Sequence, residues 1–412
     1  MADLRTRIGG IPLDNPVLIA SGPLSDTPEI LRKVDDFGAG GVILKSPLTE
    51  KDYERAVKPF AKYTFPRKLG SYIRCEDGQM HFDGMSRWSV EKWAEWLPKN
   101  IKNYRMKLIG SIAGTSLEGY IEGAKILEQA GVPAIEILLA CPAQWFRPFR
   151  YSMNTDPSTI TEICTEVVKA VKIPVGAKVY PYPRSLANAA IKSGCKWVTL
   201  GGIFIGAPSI DLDTIEPKFV VETSIAGTSV AKYMAFRSML YAKDIVKNVD
   251  VSGHGGIHNW QDSAEMIMYG ANSVQILTAL MRKGLRVIKS VNNGLSHYMD
   301  EKGFANIEAM RGVILPKLVP SEKVAQMVNG TYPRLKGTVV SKVDPEICNG
   351  CEICEEVCPF DAIKLVNKIA VTDKKKCDGC EMCVMACPVN AIELENKDLL
   401  RREERKAAGM LR

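Results

Sequence analysis

A chain of 412 residues with 46% hydrophobic and 25% charged residues is long for a single core and too ordinary in composition for disorder or a coiled coil, so a large globular domain with a smaller companion is expected. Part of the formal charge of +7 sits in the terminal stretch LLRREERKAAGMLR, which reads as a solvated basic helical tail over 396–412 and gives no support to nucleic-acid binding. Twelve cysteines, with no signal-type N-terminus and no run of membrane-spanning length, point to a cytoplasmic protein that uses metal or redox chemistry rather than a disulfide framework.

Eight short apolar runs punctuate the first three hundred residues. They are NPVLIASG from Asn15, GGVILKS from Gly40, KLIGSIAG from Lys107, AIEILLACP from Ala134, PVGAKVYP from Pro174, KWVTLGG from Lys196, VDVSGHGGI from Val249 and SVQILTAL from Ser273. Between most of them lies a helical pattern, as in SLEGYIEGAKILEQAG, DPSTITEICTEVVKAVK and WQDSAEMIMYGA. Near-continuous apolar strands alternating with amphipathic helices are the pattern of a parallel sheet covered by helices, and eight repeats suggest a closed (β/α)8 TIM barrel over 1–300. A doubly wound open sheet is the alternative, but no G-x-G-x-x-G opens a helix after a strand. A connector rich in breaks, such as LPKLVPSEK and NGTYPRLKG, fills 301–340.

In such a barrel the reactive groups gather where strands end. Lys45 ends the second strand, Cys141 the fourth and Lys178 the fifth, while Gly201, Gly202, Gly255 and Gly256 end the sixth and seventh. The glycines, with Thr278 and Ala279 after the eighth strand, would let backbone N–H groups approach a phosphate. Each glycine alone is as well read as a tight turn, and each lysine as a rim charge in water. Cys164 and Cys195 fall in helical patterns and are read as packing residues, as are Trp88, Trp93 and Trp96.

The C-terminal end carries CNGCEICEEVCPFDAI from Cys348 and CDGCEMCVMACPVNAI from Cys377, each of the form C-x2-C-x2-C-x3-C-P. Three closely spaced thiolates can grip three irons of a cubane cluster, and the cysteine before proline reaches the other cluster. Cys348, Cys351 and Cys354 with Cys387 would hold one cluster, and Cys377, Cys380 and Cys383 with Cys358 the other. Paired zinc knuckles are the rival, disfavoured by the compact spacing, the closing Cys-Pro and the absence of histidine in the segment. Over 341–395 the chain resembles the bacterial two-cluster ferredoxins, a small α+β iron-sulfur fold that moves single electrons.

The preceding domain looks like the flavin barrel shared by dihydroorotate dehydrogenases and dihydropyrimidine dehydrogenase. NPVLIASG, LKS, ACP, AK, the GTS at Gly227, GGI at Gly255 and QILTAL carry the resemblance. It implies FMN and two 4Fe-4S clusters as cofactors, with Ala20, Ser21, Lys45, Ser46, Lys178, Gly227, Gly255, Gly256, Thr278 and Ala279 around the flavin. Lys178 would lie near the flavin's N1 side, where a cation stabilises the reduced ring. Lys45 would stand at the edge shared by flavin and substrate, and Cys141 would be the acid or base that protonates or deprotonates the carbon next to the one exchanging hydride with flavin. A thiol suits that task because its ordinary pKa of about 8.5 leaves it protonated near neutrality yet within reach of ionisation. Buried in a strand it would instead be an inert small hydrophobe. The resemblance also implies an oligomer served by an NAD(P)H-oxidising flavoprotein subunit or a soluble ferredoxin.

The departures from the family concern the substrate. Leu138 stands where the pyrimidine-reading members have asparagine, Ala140 replaces a serine, Gly201 and Gly202 replace an Asn-Thr pair, and no matching asparagine follows Gly70. Each lost partner would leave a buried ring amide unpaired at about 1–3 kcal/mol, so uracil, thymine and orotate are poor candidates. The loop after Cys141 offers Trp145 as an apolar wall and Arg147 and Arg150 as carboxylate clamps, which suggests a cyclic unsaturated acid. A lid packing on the barrel rim, its arginines in water, is the other reading of that loop. A barrel that has lost catalysis and serves only electron transfer is the rival function.

Overall fold

The computed structural model describes residues 2–56, 58, 72–74, 78–81, 84–140, 156–180, 184–201, 204–207, 209–217, 223–241, 249–318 and 339–395. The chain divides into two compact units, Met1–Leu315 and Pro316–Arg412. In the first, the eight apolar runs form β1 (Val17–Ile19), β2 (Gly41–Ile43), β3 (Lys107–Ile112), β4 (Ile135–Leu138), β5 (Val175–Lys178), β6 (Trp197–Gly201), β7 (Asp250–His254) and β8 (Ser273–Ile276). Each is parallel to the next, and β8 pairs back onto β1, so the sheet is a closed barrel and the open doubly wound alternative is excluded.

Helices α1 (Pro28–Asp36), α2 (Val90–Asn100), α3 (Leu117–Gln129), α4 (Pro157–Ala170), α5 (Arg184–Lys192), α6 (Ser229–Tyr241), α7 (Trp260–Met268), α8 (Thr278–Lys283) and α9 (Arg286–Lys302) follow the strands. Several start at a side chain that accepts an orphan backbone N–H: Ser89 from Lys92, Ser116 from Gly119, Asp156 from Ser158 and Thr159, and Asn259 from Asp262. The helical patterns of the sequence therefore begin where the caps stand.

Period two along each strand sorts the side chains. Val17, Ile19, Val42, Leu44, Val198, Leu200, Val251 and Val274 face the helices in the large core. Leu18, Ile43, Ile109, Ala134 and Trp197 face inward and pack with Ile8 and Leu13. The last two come from an antiparallel hairpin, Thr6–Ile8 with Ile11–Leu13, that plugs this end of the barrel. Trp197 fits only because its neighbours are glycines: a methyl group on Gly176 would lie 2.0 Å from its ring, and one on Gly9 2.5 Å. Trp88, Trp93 and Trp96 pack on one another, with centroids 4.8 Å apart for Trp88–Trp93 and 5.7 Å for Trp93–Trp96. Cys164 and Cys195 are both buried; Cys195 lies in the turn before β6 rather than in a helix, and its contact with Cys164, together with burial, pushes the Cys164 thiol well up.

Among the described residues, three larger parts of this unit, besides a two-residue pairing of Ile210–Asp211 with Glu216–Pro217, have strands or turns too short to show a period in sequence. One is the plugging hairpin. Another is a four-stranded antiparallel sheet in the order Phe204–Gly206, Thr223–Ala226, Gln79–His81, Tyr72–Arg74, built from the β2–α2 and β6–α6 connections. It is tied to the chain after β8 by Arg282 Nη1 donating to Gly78 O at 3.1 Å. The third is the start of the expected connector: Asp3 N donates to Ala305 O, a short helix spans Ile307–Met310, and Gly312 N donates to Ile267 O, so the compact unit runs past residue 300 to Leu315.

The second unit is a two-fold repeat. Val340–Val343 pairs antiparallel with Ile392–Glu395, Ile363–Val366 with Ile369–Thr372, and short helices span Ile353–Glu356 and Met382–Ala386. Gly350, Glu352 and Asp361 have positive φ in one half, and Gly379, Glu381 and Asn390 have it in the other. At Gly350 (φ 70°) a side chain would also meet Lys368 O at 2.6 Å, so glycine is required twice over. No helix among the described residues is long and apolar enough to cross a membrane.

Gly176→Ala is expected to destabilise the barrel by about 1–3 kcal/mol, because the indole beneath it is rigid and held from several sides. Chemical denaturation of the variant beside the parent protein measures this, and an unchanged midpoint would contradict the packing described.

Candidate active site and cluster cavities

The C-terminal mouth of the barrel collects polar and charged side chains that the strands aim inward. Lys45 is 7% exposed and Lys178 is 5% exposed. Lys45 Nζ lies 3.9 Å from Asp26 Oδ2, and its backbone N–H donates to Ser25 O. Asp26 in turn accepts from Ser86 Oγ at 2.6 Å and from Arg87 N at 3.2 Å, while Ser86 Oγ also accepts from Trp93 Nε1. Trp93 on α2 thus helps, through Ser86, to fix the carboxylate that faces Lys45. Beside it, Ser46 Oγ is hydrogen-bonded to Ser111 Oγ at 2.7 Å and to Ser21 Oγ at 3.1 Å, which ties together the ends of β1, β2 and β3. Ala20 is buried next to Ser21, with its N–H donating to Ile276 O on β8.

A second polar group lies within the barrel. Glu136 Oε2 accepts from Gln275 Nε2 at 3.0 Å, from Trp197 Nε1 at 3.4 Å and from Thr199 Oγ1. The sequence reading missed this carboxylate, although its place in the otherwise apolar run AIEILLA marks it. The reading also missed His254, the last residue of β7, whose buried ring stands beside Lys178. Burial first, and then the Lys178 charge, hold its pKa well below the usual histidine value. The period-two pattern of VDVSGH, with Asp250, Ser252 and His254 sharing one face, is the signal that would have found it.

Around the ends of β7 and β8, glycines allow a close approach of backbone. A side chain on Gly227 (φ 68°) would lie 2.4 Å from Thr278 Cβ, and one on Gly256 (φ 68°) 2.5 Å from Lys232 N and 2.7 Å from Thr228 O. Gly255 also has positive φ, at 97°, and Ala279 is buried in the first turn of α8. The structure therefore brings Gly227, Gly255, Gly256 and Thr278 to one end of the barrel, by the N-termini of α6 and α8. Leu138 faces Lys178 across the β4–β5 register, and Ala140 is buried at the last described position of that run. Gly201 faces His254, whose carbonyl oxygen would lie 1.9 Å from a side chain there. Cys141, Trp145, Arg147, Arg150 and Gly202 lie outside the described residues.

The mouth suits a flavin mononucleotide by its chemistry. Two buried cations favour an anionic partner, the glycine-lined end admits a phosphate to backbone N–H groups, and Gln275 Oε1 is a buried acceptor with no hydrogen-bond partner among the described residues.

In the second unit the cysteines line two cavities. Cys348, Cys351, Cys354 and Cys387 line one, with Leu365, Ala370 and Ile392. Cys377, Cys380, Cys383 and Cys358 line the other, with Ser341, Phe360 and Leu394. Among the described residues no three metal-binding side chains are gathered as a single ion needs; the thiols surround a volume, which is how a cubane is held. Backbone N–H groups donate to the sulfurs, Ala362 to Cys358 at 3.3 Å and Ala391 to Cys387 at 3.2 Å, in matching positions of the two halves. Such bonds stabilise thiolate charge and raise a cluster's potential. Replacing Cys351 or Cys387 by alanine is expected to remove the same cluster and halve the iron of the reconstituted chain, leaving the other cluster's electron paramagnetic resonance signal. Separate losses from the two variants would break the pairing.

The sequence model of the dihydroorotate dehydrogenase family matches residues 3–299, and that of the 4Fe-4S binding domain matches 341–364 and 370–393. The chain is 30% identical over 326 residues to a dihydroorotate dehydrogenase B (NAD(+)) catalytic subunit of Thermoplasma volcanium, covering 77% of this chain and 100% of that one. It is 26% identical over 369 residues to the NAD-dependent dihydropyrimidine dehydrogenase subunit PreA of Escherichia coli strain K12, covering 86% and 85%. The crystal structure of a dihydroorotate dehydrogenase from Eimeria tenella in complex with ferulenol superposes with a TM-score of 0.61 at 16% identity, over 76% of this chain and 88% of that one, which is a likeness of fold. The chain belongs to the dihydroorotate dehydrogenase family and carries a 4Fe-4S ferredoxin unit, an FMN oxidoreductase of CH–CH bonds with two clusters.

Proposed function

We propose that the barrel exchanges two electrons with a cyclic acid at a CH–CH bond next to a carbonyl, and that the two clusters relay those electrons singly between the flavin and an external partner. The observation that carries the choice of substrate is the mouth itself. Leu138 and Gly201 stand at positions where a pyrimidine reader needs hydrogen-bonding side chains, and Gly201 has no room for any side chain at all. A uracil or orotate ring placed there would leave its amides unpaired, at about 1–3 kcal/mol for each.

Bound FMN supplies the conversion between two-electron and one-electron exchange. Lys178 stabilises negative charge on the ring, and Lys45, oriented by Asp26, stands at the substrate edge. Ala20, Ser21 and Ser46 line the flavin, while Gly227, Gly255, Gly256, Thr278 and Ala279 hold its phosphate. Cys141 gives or takes the proton at the neighbouring carbon. Trp145 forms an apolar wall, and Arg147 and Arg150 take the acid group. Cys348, Cys351, Cys354 and Cys387 ligate one cluster, and Cys377, Cys380, Cys383 and Cys358 the other. Reducing equivalents from NAD(P)H reach the chain through a flavoprotein subunit or a soluble ferredoxin, a reading supported by the NAD-dependent relatives and by the lack of a G-x-G-x-x-G fingerprint here.

Anaerobic titration of the reconstituted protein tests this. Dihydrouracil, dihydrothymine and dihydroorotate are expected to leave the flavin band unchanged, and a saturated cyclic carboxylic acid to bleach it. Bleaching by a dihydropyrimidine would sink the substrate reading, and a response to redox partners alone would mean an electron carrier. Cys141→Ala is expected to keep FMN bound and lose roughly 10²–10⁴-fold in turnover, and normal turnover would remove the thiol from the mechanism. Arg147→Ala and Arg150→Ala are each expected to weaken apparent affinity for the acid roughly 10–100-fold, which unchanged values would contradict.

A further inference from the structure

His254 sits at the C-terminal mouth of the barrel. Its side chain points inward from the last position of β7 and is 6% exposed. On the β6 side it faces Gly201, where a methyl group would come within 2.7 Å of the imidazole Cδ2, so the ring fills space that the glycine leaves. On the β8 side it faces Gln275, whose Nε2 is engaged by Glu136 and Thr199 and whose Oε1 is buried without a partner.

Among the described residues the charged groups around it are few. Lys178 on β5 acts directly on the ring and, with burial, keeps it neutral. Glu136 on β4 is held by Trp197, Thr199 and Gln275; Lys45 on β2 lies beside Asp26; Asp250, at the start of β7, accepts from Gly10 N and pairs with Arg7. The inward positions of β6 and β8 nearest the ring, Thr199, Gly201, Ser273 and Gln275, carry no titratable side chain.

We propose that His254 is a redox-linked proton acceptor, neutral while the flavin is oxidised and protonated when it is reduced, so that two electrons entering the barrel mouth bring two protons with them. This rests on the FMN reading above. In balance, a CH–CH donor gives up two electrons and two protons as its C=C bond forms; one proton stays with the electron pair on the ring system, which gains one negative charge, the other leaves through Cys141 to solvent, and the imidazole takes up one proton from solvent in its place. The new negative charge offsets Lys178 and favours the imidazolium. Both protons are released again as the electrons leave one at a time, so His254 keeps the site's net charge constant through the cycle.

The test is the pH dependence of the flavin potential in the full chain, reconstituted with iron and FMN. Potentiometric titrations from pH 6 to pH 9 follow the flavin band, with the cluster contribution subtracted from FMN-free protein titrated alongside. For a two-electron couple each proton taken up changes the equilibrium tenfold per pH unit, or about 30 mV. The wild-type slope near neutrality is expected to be that of two protons, and the slope of His254→Gln that of one. FMN stoichiometry and melting temperature report whether the variant is folded, His254→Met is the second variant, and if neither folds the ultraviolet absorbance of the reduced wild-type flavin decides, an anionic form placing the second proton on the protein and a neutral form, protonated at N1, overturning the proposal. A one-proton slope in the wild type, or equal slopes in wild type and variants, overturns the proposal and leaves the flavin site standing. Failure of the wild-type chain to take up FMN overturns the reading beneath it.

Discussion

The burial of two lysines in one barrel mouth constrains nearly everything around them. An ammonium group removed from water is costly unless charge or hydrogen bonds replace the lost hydration. Lys45 and Lys178 are more than nine-tenths buried, so the fold must supply compensation. Part of it is built in: Asp26 faces Lys45 and is itself fixed by Ser86, Arg87 N and, through Ser86, the indole of Trp93. The cations in turn favour negative charge in the mouth, such as a flavin would gain there on reduction.

That mouth is stable because the rest of the barrel interior is closed. Trp197, seated on Gly176 and Gly9, and the hairpin residues Ile8 and Leu13 exclude water at one end. Above them the carboxyl group of Glu136 is held by three donors inside the barrel. His254 and Gln275 face each other across the register of β7 and β8 at the polar end. The progression from apolar plug to polar layer to charged mouth runs along the same strands, and period two is what lets one strand serve both core and chemistry.

The ferredoxin unit answers a different constraint. With so short a chain, hydrophobic burial alone gives a small core, and the cysteines themselves are part of it: Cys354 and Cys383 lie in the same buried group as Ile363, Ala370 and Ile392. Its two halves use the same left-handed turns and the same N–H to sulfur bonds, so each cluster cavity is completed by a cysteine from the opposite half. Metal binding and folding are thereby coupled, since thiols raised by burial must lose their protons to bind iron.

How much of this was legible in the sequence depends on whether the signal is local. Eight apolar runs, the caps Ser116, Asp156 and Asn259, and the C-x2-C-x2-C-x3-C-P repeats lie within single segments, so strands, helices and the ferredoxin fold follow from residue order and spacing. Lys45 and Lys178 were visible for the same reason, each closing its own strand. Tertiary structure decided what depends on pairing between distant segments: the closure of β8 onto β1, the antiparallel sheet joining residues near 80 with residues near 225, and Asp26 meeting Lys45 and Ser86. It also decided that His254 stands beside Lys178 and opposite Gly201, because a side chain's neighbours across a barrel are set by strand register, which no single segment encodes.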